Sequence, residues 1–225
     1  MMARLIDSIP PFPDNVPTAD ISFVDFDKLS IGDKNEARKV LEAAQGYGFF
    51  YMANTHVDYD FMFDLADDTF KLPLEEKMKY EIGSGGRYFG YKMSGSQYVD
   101  EKGTPDCSEF YNASKDDILG IGPYAEEPLE HPEVVKERRR ELEQFVKSSH
   151  QVVTTVLRVL GEQLGLESDL LPSLHRLDRT GGDLARVTHA PAIKSDVISL
   201  GEHTGRSPPS RVLCSRLTAL QISAR

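Results

Sequence analysis

The side chains with the type and spacing to do chemistry gather near one end of this sequence, between Arg186 and Thr204. Residues i and i+2 of an extended strand point to the same face, so an imidazole and a carboxylate two positions apart can close on one metal ion. Two imidazoles and one carboxylate hold ferrous iron and leave positions open for oxygen and a co-substrate. His203 is the candidate metal ligand on this reading, but the slot two residues later is Gly205, which has no donor to give. Glu202 adjoins His203 and points to the opposite face of a strand. A lone imidazole does not cage ferrous iron. Arg186 and His189 are three apart and also face opposite sides of a strand, which reads as structural placement. His56 reads as a surface turn. His131 and His150 have no partner visible in the sequence and read as structural. No Ser-His-Asp or Cys-His set with a recognisable local signature can be assembled, so no residue is assigned a catalytic role.

The elements that must position these groups follow from periodicity. Residues 1–19 hold four prolines and read as an extended arm. Residues 20–27 alternate apolar and polar positions, as a strand does. Ser30 or Asp33 can cap a helix with Ala37, Val40, Leu41 and Ala44 on one face, ended by Gly46 and Gly48. Phe49 to Ala53 read as a second strand. Asp58 can cap the next helix, with Phe61, Leu65, Ala66 and Phe70 toward the core, and Pro73 restarts a short helix to about Tyr80. The glycine-rich stretch 83–105 lacks the order of a phosphate-binding loop. Pro132 opens one long helix to Leu164, apolar on one face from Leu142 onward and stopped by Gly165. Ser168 is expected to cap a short helix ending near His175. Leu184–His189 and Val197–Leu200 read as two short strands.

Composition bounds the function. With 225 residues, 40% apolar and 28% charged, the chain has material for one ordinary globular domain with an appended segment. A net charge of −10 argues against a general nucleic-acid binder and against docking on anionic membranes. No apolar run has the length of a membrane span, and the first residues carry no apolar signal core. Two cysteines, Cys107 and Cys214, show no paired spacing, which fits a reducing compartment. The expectation is a soluble, cytoplasmic protein.

Seven segments in order resemble the 2-oxoglutarate/Fe(II)-dependent dioxygenases, in the branch that includes isopenicillin N synthase. They are the opening strand Ile21–Phe26, Gly48-Phe49-Phe50, Phe70-Lys71-Leu72-Pro73-Leu74-Glu75-Glu76-Lys77, Arg87 to Tyr91, Asp106 to Phe110, Arg186 to Pro191, and Leu200 to Thr204. The last two resemble "R-x-x-H-Y-P", with Ala190 for the tyrosine, and the run into "H-T-D". The resemblance implies an α+β fold in which N-terminal helices and strands pack on the beginning of a double-stranded β-helix, or jelly-roll. It implies a dioxygenase N-terminal region over residues 20–180, with the long helix at 132–164, and the first jelly-roll strands over residues 181–204. It also implies Fe(II) and 2-oxoglutarate as cofactor and co-substrate, a small-molecule substrate of secondary metabolism, His203 as first iron ligand, and a barrel-lining place for Arg186 and His189. Arg87 and Tyr91 fall where relatives contact substrate. A cation and a phenol there would orient a carboxylate, or serve as an ion-paired loop arginine and a packed ring.

The resemblance stops at Gly205. Residues 205–225 carry four arginines and no acidic residue, against the acidic balance of the whole chain. Pro208 and Pro209 stand where the family runs a central strand. A shift in composition and a broken motif at one boundary point to another reading frame, a retained intron or an alternative exon. This tail is expected to be disordered. The family's distal histidine and its Arg-x-Ser clamp for 2-oxoglutarate have no counterpart after His203. Halogenases of the family put a small residue at the carboxylate slot, as Gly205 does, but they also need those two missing features. The sequence therefore predicts a barrel left incomplete, a chain that binds neither iron nor 2-oxoglutarate and is inactive, and strand edges open to self-association or to another partner.

Overall fold

The computed structural model describes residues 15, 18–83, 88–191, 211–214 and 218–221. Arg87, His203, Gly205, most of the expected arm and the strand expected over Val197–Leu200 lie outside these residues. In chain order the elements are β1 (Phe23–Asp25), α1 (Phe26–Ser30), α2 (Lys34–Gln45), β2 (Phe49–Ala53), α3 (Tyr59–Lys71), α4 (Leu74–Met78), β3 (Gly90–Lys92) and β4 (Glu109–Ser114). There follow α5 (Lys115–Leu119), a 3-10 turn (Gly122–Ala125), α6 (Glu133–Lys136), α7 (Arg139–Gln163), α8 (Leu170–Ser173), β5 (Leu184–His189), β6 (Arg211–Cys214) and β7 (Thr218–Gln221). The fold is mixed α+β, and its sheets resemble an incomplete jelly-roll.

The chain divides into two compact units. One comprises Ile9–Asp58, Lys147–Leu177 and Gly205–Arg225. Its sheet has the order β1-β2-β7-β6, with β1 parallel to β2 and the other pairs antiparallel. The strand expected over residues 20–27 is shorter, because the Asp25 carboxylate accepts from the Lys28 N–H at 3.3 Å and opens α1. Of the two capping candidates for α2, Asp33 is the one used, accepting from the N–H groups of Asn35 and Glu36 at 2.8 and 3.0 Å. Val40 and Ala43 are buried on α2, and Phe50 and Met52 on β2. Glu36, buried on the same stripe, accepts from the Asp25 N–H at 2.9 Å and so fixes where the first strand ends. β6 and β7 are strands, with β7 paired to β2 and β6 to β7. The two prolines precede β6 and interrupt neither strand.

The second unit comprises Met1–Ser8, Tyr59–Val146 and Asp178–Thr204. Its sheet has the order β3-β4-β5, antiparallel throughout, and β5 registers along the whole of β4 from Glu109↔His189 to Ser114↔Leu184. Met62 and Leu65 of α3 meet Tyr91, Tyr111, Ala113, Ala185 and Val187 from the sheet, with Val135 and Leu142 from the helices. Each of the Met, Leu and Val side chains contributes about 1.5–3 kcal/mol by leaving water. Gly90 has φ +122°, and a Cβ there would overlap the carbonyl oxygen of Tyr80, so this position in β3 requires glycine.

The long helix differs from expectation. It comes as α6 and α7, parted at Glu137 and Arg138, where Arg138 pairs with Asp68 and Arg139 with Asp117. Ion pairs formed with other parts of the chain are invisible to local periodicity. Gly165, at φ +75°, ends α7 as expected. The residue at the start of α8 is Asp169 rather than Ser168, and it makes no side-chain cap bond. Among the described residues no helix is long and apolar enough to cross a membrane.

Candidate functional site

Alternation along β4 and β5 sorts their polar side chains onto two faces. Glu109, Tyr111, Val187 and His189 share the core face with Tyr91, while Phe110, Asn112 and Arg186 share the other with Lys92.

At one end of the core face Glu109 is the centre of a cluster. Its Oε2 accepts from Lys77 Nζ at 2.8 Å and from the Tyr91 hydroxyl at 2.5 Å, and its Oε1 lies 2.9 Å from His189 Nδ1. The side chains of Lys77 and Glu109 are only 8% and 13% exposed, whereas His189 is half exposed and stacks on Phe70. Burial works against the Glu109 charge, but the bonds from Lys77, Tyr91 and His189 outweigh it and hold the carboxyl below its ordinary value. Burial first, and Glu109 second, push the Tyr91 phenol well above its ordinary value. A carboxylate with three hydrogen-bonding partners is a poor proton acceptor at neutral pH, so the cluster ties β3, β4 and β5 to Lys77 of α4 rather than serving as a base.

Deeper in the same unit runs a second polar chain. The Tyr111 hydroxyl lies 2.6 Å from His131 Nδ1, and His131 Nε2 lies 2.8 Å from Asp117 Oδ2. Asp117 also accepts from the Leu129 N–H at 2.7 Å and from Arg139 at 3.1 Å. Burial raises the cost of its charge, yet the bond from His131, the Leu129 N–H and the charges of His131 and Arg139 keep its carboxyl below the ordinary value. The order phenol–imidazole–carboxylate is that of an activated nucleophile. Tyr111, however, is 2% exposed, and burial drives its phenol far above the ordinary value. Beside it lies a cavity of about 10 Å³ lined by Tyr80, Phe89, Gly90, Tyr111, Leu129, Glu130 and His131, room for about one water.

On the opposite face the Arg186 guanidinium lies 4.1 Å from the Phe110 ring centroid, and its Nε donates to Asn112 Oδ1 at 2.7 Å. Lys92 pairs with Asp106 and donates to the Ser108 carbonyl at 2.8 Å.

The residues singled out in the sequence are dispersed. Tyr91 is buried at 2% exposure with its hydroxyl on Glu109, while Arg87 and His203 lie outside the described residues. Arg186 and His189 do face opposite sides, each bonded to the β4 residue directly across from it. His131 proves to have two partners, and His150 lies 2.6 Å from the His175 carbonyl oxygen. Sequence reasoning missed Lys77, Glu109 and Asp117. The signal for the first two was present in the stretches Phe70–Lys77 and Asp106–Phe110, noted as resemblance and not as chemistry. Among the described residues no three His, Cys, Asp or Glu side chains converge as a metal site. His203 and Gly205, on which the expectation about ferrous iron rests, lie outside the described residues.

Known proteins give the lineage. The family model described as the N-terminal region of non-haem dioxygenase in morphine synthesis matches residues 16–138, more than half of the chain. The 2-oxoglutarate-dependent dioxygenase frbH of Dothideomycetidae sp. (strain 11243) is 26% identical over 220 residues, covering 93% of this chain and 64% of the relative. Oxidoreductase vrtI of Penicillium aethiopicum is 26% identical over 212 residues, covering 89% of this chain and 49% of the relative. This chain thus spans half to just under two thirds of the length of these two relatives. In fold it is similar to a full-length Neurospora crassa protein crystallised in complex with alpha-KG, with a TM-score of 0.64, 24% identity, and coverage of 84% of this chain and 62% of that one. JOX2 in complex with 2OG, Fe and JA follows at a TM-score of 0.53 and 22% identity, covering 86% and 58%. The chain belongs to the 2-oxoglutarate/Fe(II)-dependent non-haem dioxygenase family, carrying its N-terminal region and the opening of its barrel.

Proposed function

We propose that this lineage oxidises a small molecule of secondary metabolism with 2-oxoglutarate and Fe(II), and that the 225-residue chain does not itself carry out the turnover. One observation carries the second half of this reading. Gly205 stands where the ligand pair begun by His203 needs a carboxylate. Without that carboxylate the facial ligand set that holds Fe(II) is incomplete. A reducing, cytosolic setting belongs to the same proposal and rests on two cysteines without paired spacing.

The test is succinate release by the purified chain supplied with iron, ascorbate and 2-oxoglutarate. No release above the iron-free blank is expected, and sustained iron-dependent release would sink the proposal. Sequencing the transcript across the Thr204 and Gly205 codons separates a divergent product from a misread gene. An in-frame Asp codon followed by a long open frame would restore the enzyme reading.

A second reading, a non-catalytic chain that recruits a partner through a strand edge, is supported by β5. Among the described residues it pairs on one side only, with β4, and it presents exposed Arg186, Thr188 and His189. Light scattering discriminates: a monomer at every concentration, alone and with a full-length relative, speaks against it.

A further inference from the structure

We propose that Tyr111 and His131 form a redox-active pair, in which a one-electron oxidant takes an electron from the buried phenol while the phenolic proton passes to His131 Nδ1. The product is a neutral tyrosyl radical beside an imidazolium that is paired with Asp117. All three residues lie within one unit of the chain, and the proposal stands whether or not the chain turns over 2-oxoglutarate.

Chemistry and place are mismatched at this cluster. Tyr111, His131 and Asp117 are 2%, 3% and 0% exposed, so the phenol reaches no substrate as a nucleophile. An electron needs no such access, because it tunnels through packed protein. The phenol does not give up its proton beforehand, since burial drives it far above its ordinary value. Electron and proton must therefore leave together, which requires a base already at hydrogen-bond distance. His131 Nδ1 stands 2.6 Å from the hydroxyl. The Asp117 carboxylate fixes the direction of transfer. It can only accept, so in the neutral imidazole the hydrogen on the 2.8 Å contact is carried by His131 Nε2, and the Nδ1 lone pair faces the phenol. The charge of Asp117 is secured in turn by the Leu129 N–H and Arg139. Once the proton has moved, the imidazolium faces that carboxylate in a site of low dielectric, where the attraction between them is strong.

Composition and neighbourhood support the same assignment. The chain has no tryptophan, so tyrosine is its most easily oxidised aromatic side chain. Tyr91 is as deeply buried, but its hydroxyl bonds to Glu109, whose charge is already shared by Lys77 and His189. Tyr80 is half-buried and lines the same one-water cavity as Tyr111, so a second oxidisable ring reaches from this site towards solvent. The balance closes with an oxidant of the carbonate-radical class. Phenol, neutral imidazole and carbonate radical anion give tyrosyl radical, imidazolium and carbonate dianion. The phenolic O–H bond breaks, the Nδ1–H bond forms, and one electron moves from the ring to the oxidant. A one-electron reductant such as ascorbate returns the electron, and the proton goes back along the same hydrogen bond.

The test oxidises the full-length chain with a photogenerated ruthenium(III) polypyridyl complex and follows the tyrosyl radical by electron paramagnetic resonance. A long-lived radical is expected in the unaltered chain and in Tyr91→Phe, and its loss in Tyr111→Phe. His131→Asn keeps a polar side chain near the phenol without a basic nitrogen, and is expected to slow formation of the radical about a hundredfold or more. A long-lived radical that persists in Tyr111→Phe, vanishes in folded Tyr91→Phe, or forms at an unchanged rate in His131→Asn overturns the proposal. A second measurement, on the unaltered chain, decides even if a variant fails to fold. With histidine labelled by heavy nitrogen and the solvent exchanged for heavy water, the radical is expected to couple to a histidine nitrogen and to an exchangeable deuteron on the bond between them. A radical without the nitrogen coupling, or no long-lived radical at all, overturns the proposal.

Discussion

At the scale of single residues, the chain uses its buried charge to fix geometry. Asp117 and Glu109 each gather several hydrogen-bonding partners from separate parts of the chain, and each is held ionised by those partners against the cost of burial. Tyr111 shows what such a residue contributes. Its ring sits among Met62, Leu65 and Val187, and its hydroxyl closes the chain through His131 to Asp117. Tyr111→Phe keeps the ring and removes the bond, leaving His131 Nδ1 without its protein partner. A loss of about 1–2 kcal/mol is expected, read as a lower urea midpoint with an unchanged slope. A stability equal to that of the unaltered chain would show that Nδ1 finds a substitute, with the adjoining one-water cavity as the place for it.

At the scale of elements, boundaries are set by side chains that reach backwards. Asp33 caps α2, Asp25 caps α1, and Ser114 caps α5, each by accepting N–H bonds from the first turn. The Asp33 cap has a further consequence. It holds the start of α2, from which buried Glu36 reaches the Asp25 N–H at the end of β1. Asp33→Ala is expected to cost about 1 kcal/mol, with faster hydrogen exchange in the first turn of α2 and at Asp25. Loss confined to the helix, with Asp25 exchange unmoved, would show that Glu36 does not depend on the cap.

At the scale of the whole molecule, the depressed carboxyls of Glu109 and Asp117 set the pH response. Their ordinary values are 4.5 and 3.8, and both sit lower in the folded chain. The unfolded chain therefore takes up these protons first as acid is added, so stability rises with pH through this window. The contribution is fully present above the ordinary values and is lost as pH falls through the folded ones. The urea midpoint is expected to be steady between about pH 7 and 5 and to fall below about pH 4. Glu109→Gln is expected to flatten part of that fall; a variant with the same slope would show that the Lys77–Glu109 pair is not its source.

The sequence by itself determined the lineage, the mixed α+β class and the places of α2, β2, α3, α4 and β5. These rest on local signals: caps, glycine stops, period-two and period-3.6 patterns, and residue types at fixed spacing. It did not determine that Glu109 meets Lys77, Tyr91 and His189, that His131 lies between Tyr111 and Asp117, or that the long helix is parted at Glu137 and Arg138. Nor did it determine that β7 pairs with β2. Only the tertiary structure decided these, for one physical reason. Each depends on groups that lie far apart along the chain and meet only once register and packing have brought them together, and residue spacing carries no record of that meeting.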